Sequence, residues 1–173
     1  HKFHGPKGIG FLYSSSADFD SYLHGGDQEQ KKRAGTENLA AIVGMVAALK
    51  EDLEQQAEHY QKLEGLKSAF LDEIADLEYY LNESQHQLPY VINIGFPGQK
   101  NDLLLLRLDL EGISISTGSA CTAGIVQTSH VLEAFYGPDS HRLKESVRIS
   151  LSPLNTEEEL KQLAQTLKNI IGD

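Results

Sequence analysis

Tyr90-Val91-Ile92-Asn93-Ile94, Leu103-Leu104-Leu105-Leu106-Arg107-Leu108 and Ile113-Ser114-Ile115-Ser116-Thr117 follow one another between residues 90 and 117. The first run is rich in β-branched residues and reads as a strand. The third alternates apolar and polar residues and reads as a second strand. Periodicity does not decide the leucine run between them, because a short apolar stretch fits a buried strand or a buried helix. Leucine lacks β-branching, and Asn101 or Asp102 is a suitable cap, which leans the run toward helix. Elements alternating in this way belong to an α+β or α/β domain.

Working toward the C-terminus, residues 129–135 suit a short helix. Residues 146–150 suit a strand with Val147 and Ile149 on one face. Thr156-Glu157-Glu158-Glu159 carries the capping-box pattern, and Leu160, Leu163, Leu167, Ile170 and Ile171 form the apolar stripe of a final helix. Toward the N-terminus, Leu39, Ile42, Val43, Val46, Leu49 and Leu53 recur at helical spacing. The pattern continues through Tyr60, Leu63, Leu66, Phe70 and Ile74. Thr36 and Asn38 are both candidate caps for this long helix. Residues 14–33 are polar and read as an exposed loop, while residues 8–13, Gly-Ile-Gly-Phe-Leu-Tyr, read as a buried strand.

The 173 residues carry 15 Lys plus Arg against 25 Asp plus Glu, a net charge of -10. That balance argues against bulk nucleic-acid binding, which depends on neutralising phosphates. With one cysteine, the chain has no internal disulfide and no multi-cysteine zinc or iron–sulfur site of its own. No histidine spacing suggests a metal centre, and no apolar run reaches the length of a membrane span.

Four residues carry candidate chemistry. Cys121 follows a strand pattern among Ser116, Thr117, Gly118, Ser119 and Thr122, so a buried thiol and a reactive loop thiol both stand open. His130 is a base that can approach it in space. Lys2 sits between two histidines ahead of a Gly-Pro turn. Its amine is either a surface charge or a group held for Schiff-base chemistry. Thr36, with Arg33 and Gly35 at a helix start, is either an ordinary cap or part of a phosphate subsite. Arg148 lies in the apolar strand Val147-Arg148-Ile149, where its fork either snorkels outward or holds an anion such as a carboxylate.

These pieces resemble the cysteine desulfurases, pyridoxal-phosphate enzymes of the class V aminotransferase group. The resemblance rests on five ordered segments. They are His1-Lys2-Phe3-His4-Gly5-Pro6-Lys7-Gly8, His24-Gly25-Gly26 with Gln28-Glu29, and Arg33-Ala34-Gly35-Thr36-Glu37-Asn38. Then come Ser116-Thr117-Gly118-Ser119-Ala120-Cys121-Thr122, and Val147-Arg148-Ile149-Ser150 with Asn155-Thr156-Glu157-Glu158-Glu159. Two details depart from the pattern, Asp27 after the glycine pair and Gln30-Lys31-Lys32 before Arg33.

The resemblance implies a fold and a set of roles. The fold is α/β overall, the C-terminal half of a fold type I enzyme. Residues 1–50 would end the large cofactor domain and residues 51–173 would form a small α+β domain. Lys2 would carry pyridoxal phosphate through its amine and move protons at the substrate α-carbon. Thr36 would reach the cofactor phosphate of the other subunit in a homodimer, and Arg148 would hold the carboxylate of L-cysteine. Cys121 would take the substrate sulfur as a persulfide, releasing alanine. The serine-rich segment around it resembles the long-loop group, which serves iron–sulfur assembly and tRNA thiolation. The expected acceptor is therefore a scaffold or tRNA-thiolation protein, and the expected location is cytoplasmic.

In the family, the aspartate at the pyridine nitrogen and the histidine stacked on the ring precede the lysine. The chain alone is therefore expected not to turn over. A selenocysteine lyase, another class V enzyme, or a non-catalytic interaction fragment are the alternatives. The resemblance also reads the leucine run as a helix from Asp102 to about Asp109.

Overall fold

The helical periodicity that begins at Leu39 is realised as far as Glu73, and Ile74 falls just beyond the helix end. In the computed structural model, helix α1 spans Leu39–Glu73, 35 residues. Of the two candidate caps, Asn38 takes the role: its Oδ1 accepts from the Ala41 N–H at 3.2 Å. Residues 1–16, 18–118 and 128–172 are described. The chain divides into two compact units, His1–Ala57 and Glu58–Asp173.

The first unit joins a loop-rich segment to the opening turns of α1. Gly5 and Pro6 lie against Met45 and Gly44 of that helix, and Met45 is buried. A short 3-10 turn, Glu29–Lys31, and an isolated bridge between Leu23 and Arg33 shape the loop that follows. Residues 8–13 do not form the strand their composition suggests. A strand is stabilised by a neighbour's backbone groups, and this segment pairs with none of the described residues. Phe11 and Tyr13 are accordingly 66% and 85% exposed.

The second unit is α+β. Its sheet is antiparallel, in the order β1 (Tyr80–Leu81), β2 (Val91–Gly95), β3 (Ser146–Ser150). Among the described residues, helices α2 (Asn101–Leu110), α3 (His130–Tyr136), α4 (Arg142–Glu145) and α5 (Glu157–Gly172) accompany it. The leucine run is thus a helix, with Leu104 and Leu108 buried one turn apart. Alternation divides the sheet cleanly. Ile92 and Ile94 of β2 and Val147 and Ile149 of β3 face the core, which Leu63, Leu66 and Phe70 of α1 and Leu160, Leu163 and Leu167 of α5 also fill.

The alternating residues 113–117 are not a full strand. After α2 the chain turns back, with the Ile113 N–H donating to the Leu108 carbonyl. Only Ser116 then meets the sheet, in a single bridge to Arg148. Alternation records which side chains face inward and does not guarantee a continuous backbone partner. Strand β1 and helix α4 carry no sequence signal of their own, being too short for any period to emerge.

The capping box of α5 forms reciprocally. The Thr156 N–H donates to Glu159 Oε2 at 3.1 Å, and the Glu159 N–H donates to Thr156 Oγ1 at 3.3 Å. The Asn155 amide, foremost, and the Thr156 N–H hold the Glu159 carboxyl below its ordinary value of 4.5. Stability from a depressed carboxyl is complete above 4.5 and is lost as pH falls through the lowered value. Glu159→Gln is therefore expected to flatten the acid-side loss of stability. Urea midpoints at neutral pH and below 4.5 check this against the parent chain.

Candidate functional site

The face of the sheet turned away from the core is polar. Register places Asn93 of β2 opposite Arg148 of β3, and Gly95 opposite both Tyr80 of β1 and Ser146 of β3. Ser116 extends the Asn93–Arg148 row through its bridge, exchanging backbone hydrogen bonds with Arg148 at 3.1 and 2.6 Å. Asn82 joins the same row from the end of β1, its N–H donating to the Asn93 carbonyl at 2.9 Å. A cavity of about 500 Å³ opens on this face. Arg148, Asn93, Asn82, His130 and Tyr136 line it, together with Gly118 and Ser129, the described residues near either end of 119–127.

Arg148 is half-buried, and its Nε is buried with no partner among the described residues. An orphaned, buried guanidinium nitrogen is costly unless something fills its need. Its planar fork is matched to a carboxylate.

A second arginine stands behind the cavity wall. Arg142 lies between two aromatic rings, 4.2 Å from the Tyr80 centroid and 4.5 Å from that of Tyr136. Its Nη1 donates to Asn82 Oδ1 at 2.7 Å. Asn82 Nδ2 then donates to Asn93 Oδ1 at 2.8 Å and to Ser146 Oγ at 2.9 Å. Tyr80 is fixed in turn by donating its hydroxyl to Glu145 Oε2 at 3.1 Å. Burial, first, and the Glu145 carboxylate raise the Tyr80 hydroxyl above the ordinary phenol value, while the Ser146 hydroxyl acts in the opposite direction. Gly95 makes this possible, because a Cβ there would lie 2.3 Å from the Tyr80 ring.

In the first unit, Lys2 is exposed at the turn closed by the His4 N–H and the His1 carbonyl. The segment expected to hold phosphate is partly committed to itself. The Gly35 N–H donates to Gln28 Oε1 at 3.0 Å, and Arg33 Nη1 donates to the Ala34 carbonyl at 2.8 Å. Gly35 has φ +101°, a conformation suited to glycine. Thr36 is exposed, and because Asn38 caps α1, its hydroxyl is not used for capping. Gln28 thus has a loop-closing role that its sequence context does not reveal. Cys121 lies outside the described residues. His130 lines the cavity with Arg148, and His86 contributes to its rim. Among the described residues, no group of three or more His, Cys, Asp or Glu could hold a metal ion, and no helix is long and apolar enough to cross a membrane.

Sequence reading picked out Arg148 but not Asn82, Asn93, Tyr80, Tyr136 or Arg142. Asn93 carries a visible signal, a lone amide between Ile92 and Ile94 on the polar side of a strand. The others are joined to it only by tertiary contacts.

The chain belongs to the aminotransferase class-V family, whose profile it matches over residues 1–163. Within that family its homology runs to the IscS- and NifS-type proteins. It is 43% identical to the putative cysteine desulfurase IscS 1 of Bacillus subtilis, over 99% of this chain and 46% of the relative. It is 38% identical to the cysteine desulfurase IscS of Dictyoglomus turgidum, over 99% of this chain and 44% of the relative. A solved NifS-like protein superposes with a TM-score of 0.85 at 32% identity, over 99% of this chain and 44% of the other. The NifS-like protein of Rickettsia africae does so with a TM-score of 0.75 at 27% identity, over 89% and 40%. The chain therefore spans less than half the length of the curated relatives it matches.

Proposed function

We propose that the protein is a pyridoxal-phosphate-dependent cysteine desulfurase that converts L-cysteine to L-alanine and carries the removed sulfur as a persulfide on Cys121. One observation supports this most. The cavity that holds Arg148 is also lined by Gly118 and Ser129, which stand near either end of the Cys121 segment. Homology to the class-V family supports the cofactor. The donor set fits it: an exposed amine on Lys2 suits an aldehyde, and an exposed hydroxyl on Thr36, not used for capping, suits a phosphate.

When bound, the cofactor supplies an electron sink at the substrate α-carbon. Lys2 holds it and moves the proton at that carbon. Thr36 donates to the phosphate, in the reading where two subunits share their sites. Arg148 holds the substrate carboxylate and so sets its orientation. The Cys121 thiolate attacks the substrate sulfur; an S–S bond forms as the substrate C–S bond breaks, and the carbon takes up a proton to leave as alanine. The sulfur then passes to an acceptor protein of iron–sulfur assembly or tRNA thiolation, in keeping with a long-loop, cytoplasmic homodimer.

The test uses the whole protein with L-cysteine. Alanine released in step with cysteine consumed, and a mass gain of one sulfur on the Cys121 peptide, are expected. Alanine without that mass gain would remove Cys121 from the mechanism. Turnover confined to selenocysteine would replace the desulfurase reading with that of a lyase.

A further inference from the structure

The cavity presents two features that the carboxylate reading of Arg148 leaves unused: a chain of side-chain amides and an arginine between two rings behind it. Donor and acceptor chemistry orients every member. A guanidinium only donates, so Asn82 must turn its Oδ1 toward Arg142. Asn82 Nδ2 is thereby directed to Asn93 and Ser146. Asn93 must answer with its own Oδ1, which leaves its Nδ2 as the end of the amide with no partner among the described residues. Asn93 lines the cavity and lies opposite Arg148 in the register of β2 and β3. Directly opposite residues on one face of an antiparallel pair lie about 5 Å apart at Cβ.

We propose that Asn93 Nδ2 is a second donor to the ligand's carboxylate beside Arg148, and that Arg142 is the positioning residue that fixes it through Asn82. The proposal rests on the reading of Arg148 as the carboxylate holder. Without Arg142, Asn82 is free to flip its amide, and Asn93 with it. The cavity would then present an acceptor beside Arg148, repelling a carboxylate. Cation–π contact with both the Tyr80 and the Tyr136 ring holds the guanidinium, and the Tyr80 hydroxyl is itself tied to Glu145. A lysine at 142 would keep the charge but lose the fixed fork.

The test is calorimetric binding of L-alanine and L-alaninamide to the whole, cofactor-loaded protein, with alanine release from L-cysteine measured on the same samples. Asn93→Asp keeps the acceptor for Asn82 Nδ2 but replaces the donor by a negative oxygen. It is expected to weaken L-alanine about tenfold or more while changing L-alaninamide less than about threefold, with melting unchanged. Arg142→Lys and Arg142→Ala are expected to follow the same selective pattern. A purely structural role would move both probes together.

Variants that bind L-alanine as the parent does would overturn the relay and leave the desulfurase reading in place. A parent that prefers the carboxylate probe, with the variants losing that preference but no alanine released, would overturn the desulfurase reading and leave the relay standing. A parent with no preference for the carboxylate would overturn the relay outright. If the Arg142 variants do not fold, Asn82→Asp tests the relay in their place. Its carboxylate still accepts from Arg142 but cannot donate to Asn93, so the same selective loss of L-alanine is expected, and unchanged L-alanine binding would overturn the relay.

Discussion

Replacing Arg148 with alanine is expected to lower kcat/KM for L-cysteine in the whole protein by about a hundredfold or more. The estimate follows from losing two charge-assisted hydrogen bonds, each worth about 1.5–3 kcal/mol. Most of the change should fall on KM, because the carboxylate does not react and is bound alike in the ground and transition states. Little stability should be lost. The backbone of Arg148 would keep its hydrogen bonds to Ser116, and the substitution removes a buried nitrogen that has no partner among the described residues. Arg148→Lys should recover only part of the loss, since an ammonium keeps the charge but not the two-pronged geometry. Steady-state kinetics with thermal melts would check both. A KM for Arg148→Ala within threefold of the parent would remove Arg148 from substrate binding.

Phe70→Ala is expected to cost about 3–5 kcal/mol of stability. Phe70 is fully buried, 0% exposed, and belongs to the core cluster that also takes Ile92 and Ile94 from β2 and Leu167 from α5. Truncation removes the transfer energy of the ring and leaves a void that rigid neighbours only partly close. The total stability of a domain is about 5–15 kcal/mol, so this loss is a large fraction of it. The fall in urea midpoint, with an unchanged slope, is the measure. Leu103→Ala serves as the control: Leu103 is 54% exposed on α2, and its loss should stay within about 0.5 kcal/mol. Equal midpoints for the two variants would mean that α1 does not anchor this core.

The fold was legible wherever a period had room to repeat. Helix α1, the capping box and apolar stripe of α5, and strand β3 lie where their patterns place them, and β2 is displaced by one residue. Residues 8–13 and 113–117 misled for one shared reason. Each has the composition or alternation of a strand, but a strand also needs a neighbour, and neighbours are not written locally. The period of the leucine run is ambiguous, but its missing β-branching and the caps at Asn101 and Asp102 lean it toward helix, as the family resemblance also does, and α2 is that helix.

The site divides in the same way. Arg148 was visible because an arginine between Val147 and Ile149 is an anomaly against its immediate surroundings. Arg142 was not, because its surroundings in sequence are polar and its meaning lies in Tyr80, 62 positions away, and in Asn82, 60 positions away.

By itself the sequence determined the family, the amphipathic helices and the chemical vocabulary of amine, thiol, hydroxyl and guanidinium. These depend on residue identity and short-range spacing. Only the tertiary structure decided that Asn93 faces Arg148, that Gly95 leaves room for the Tyr80 ring, and that the amides of Asn82 and Asn93 point one way. Those are matters of strand register and donor-to-acceptor order. They arise only when distant segments are brought within hydrogen-bonding distance, where an unmatched polar group costs more than a local preference can repay.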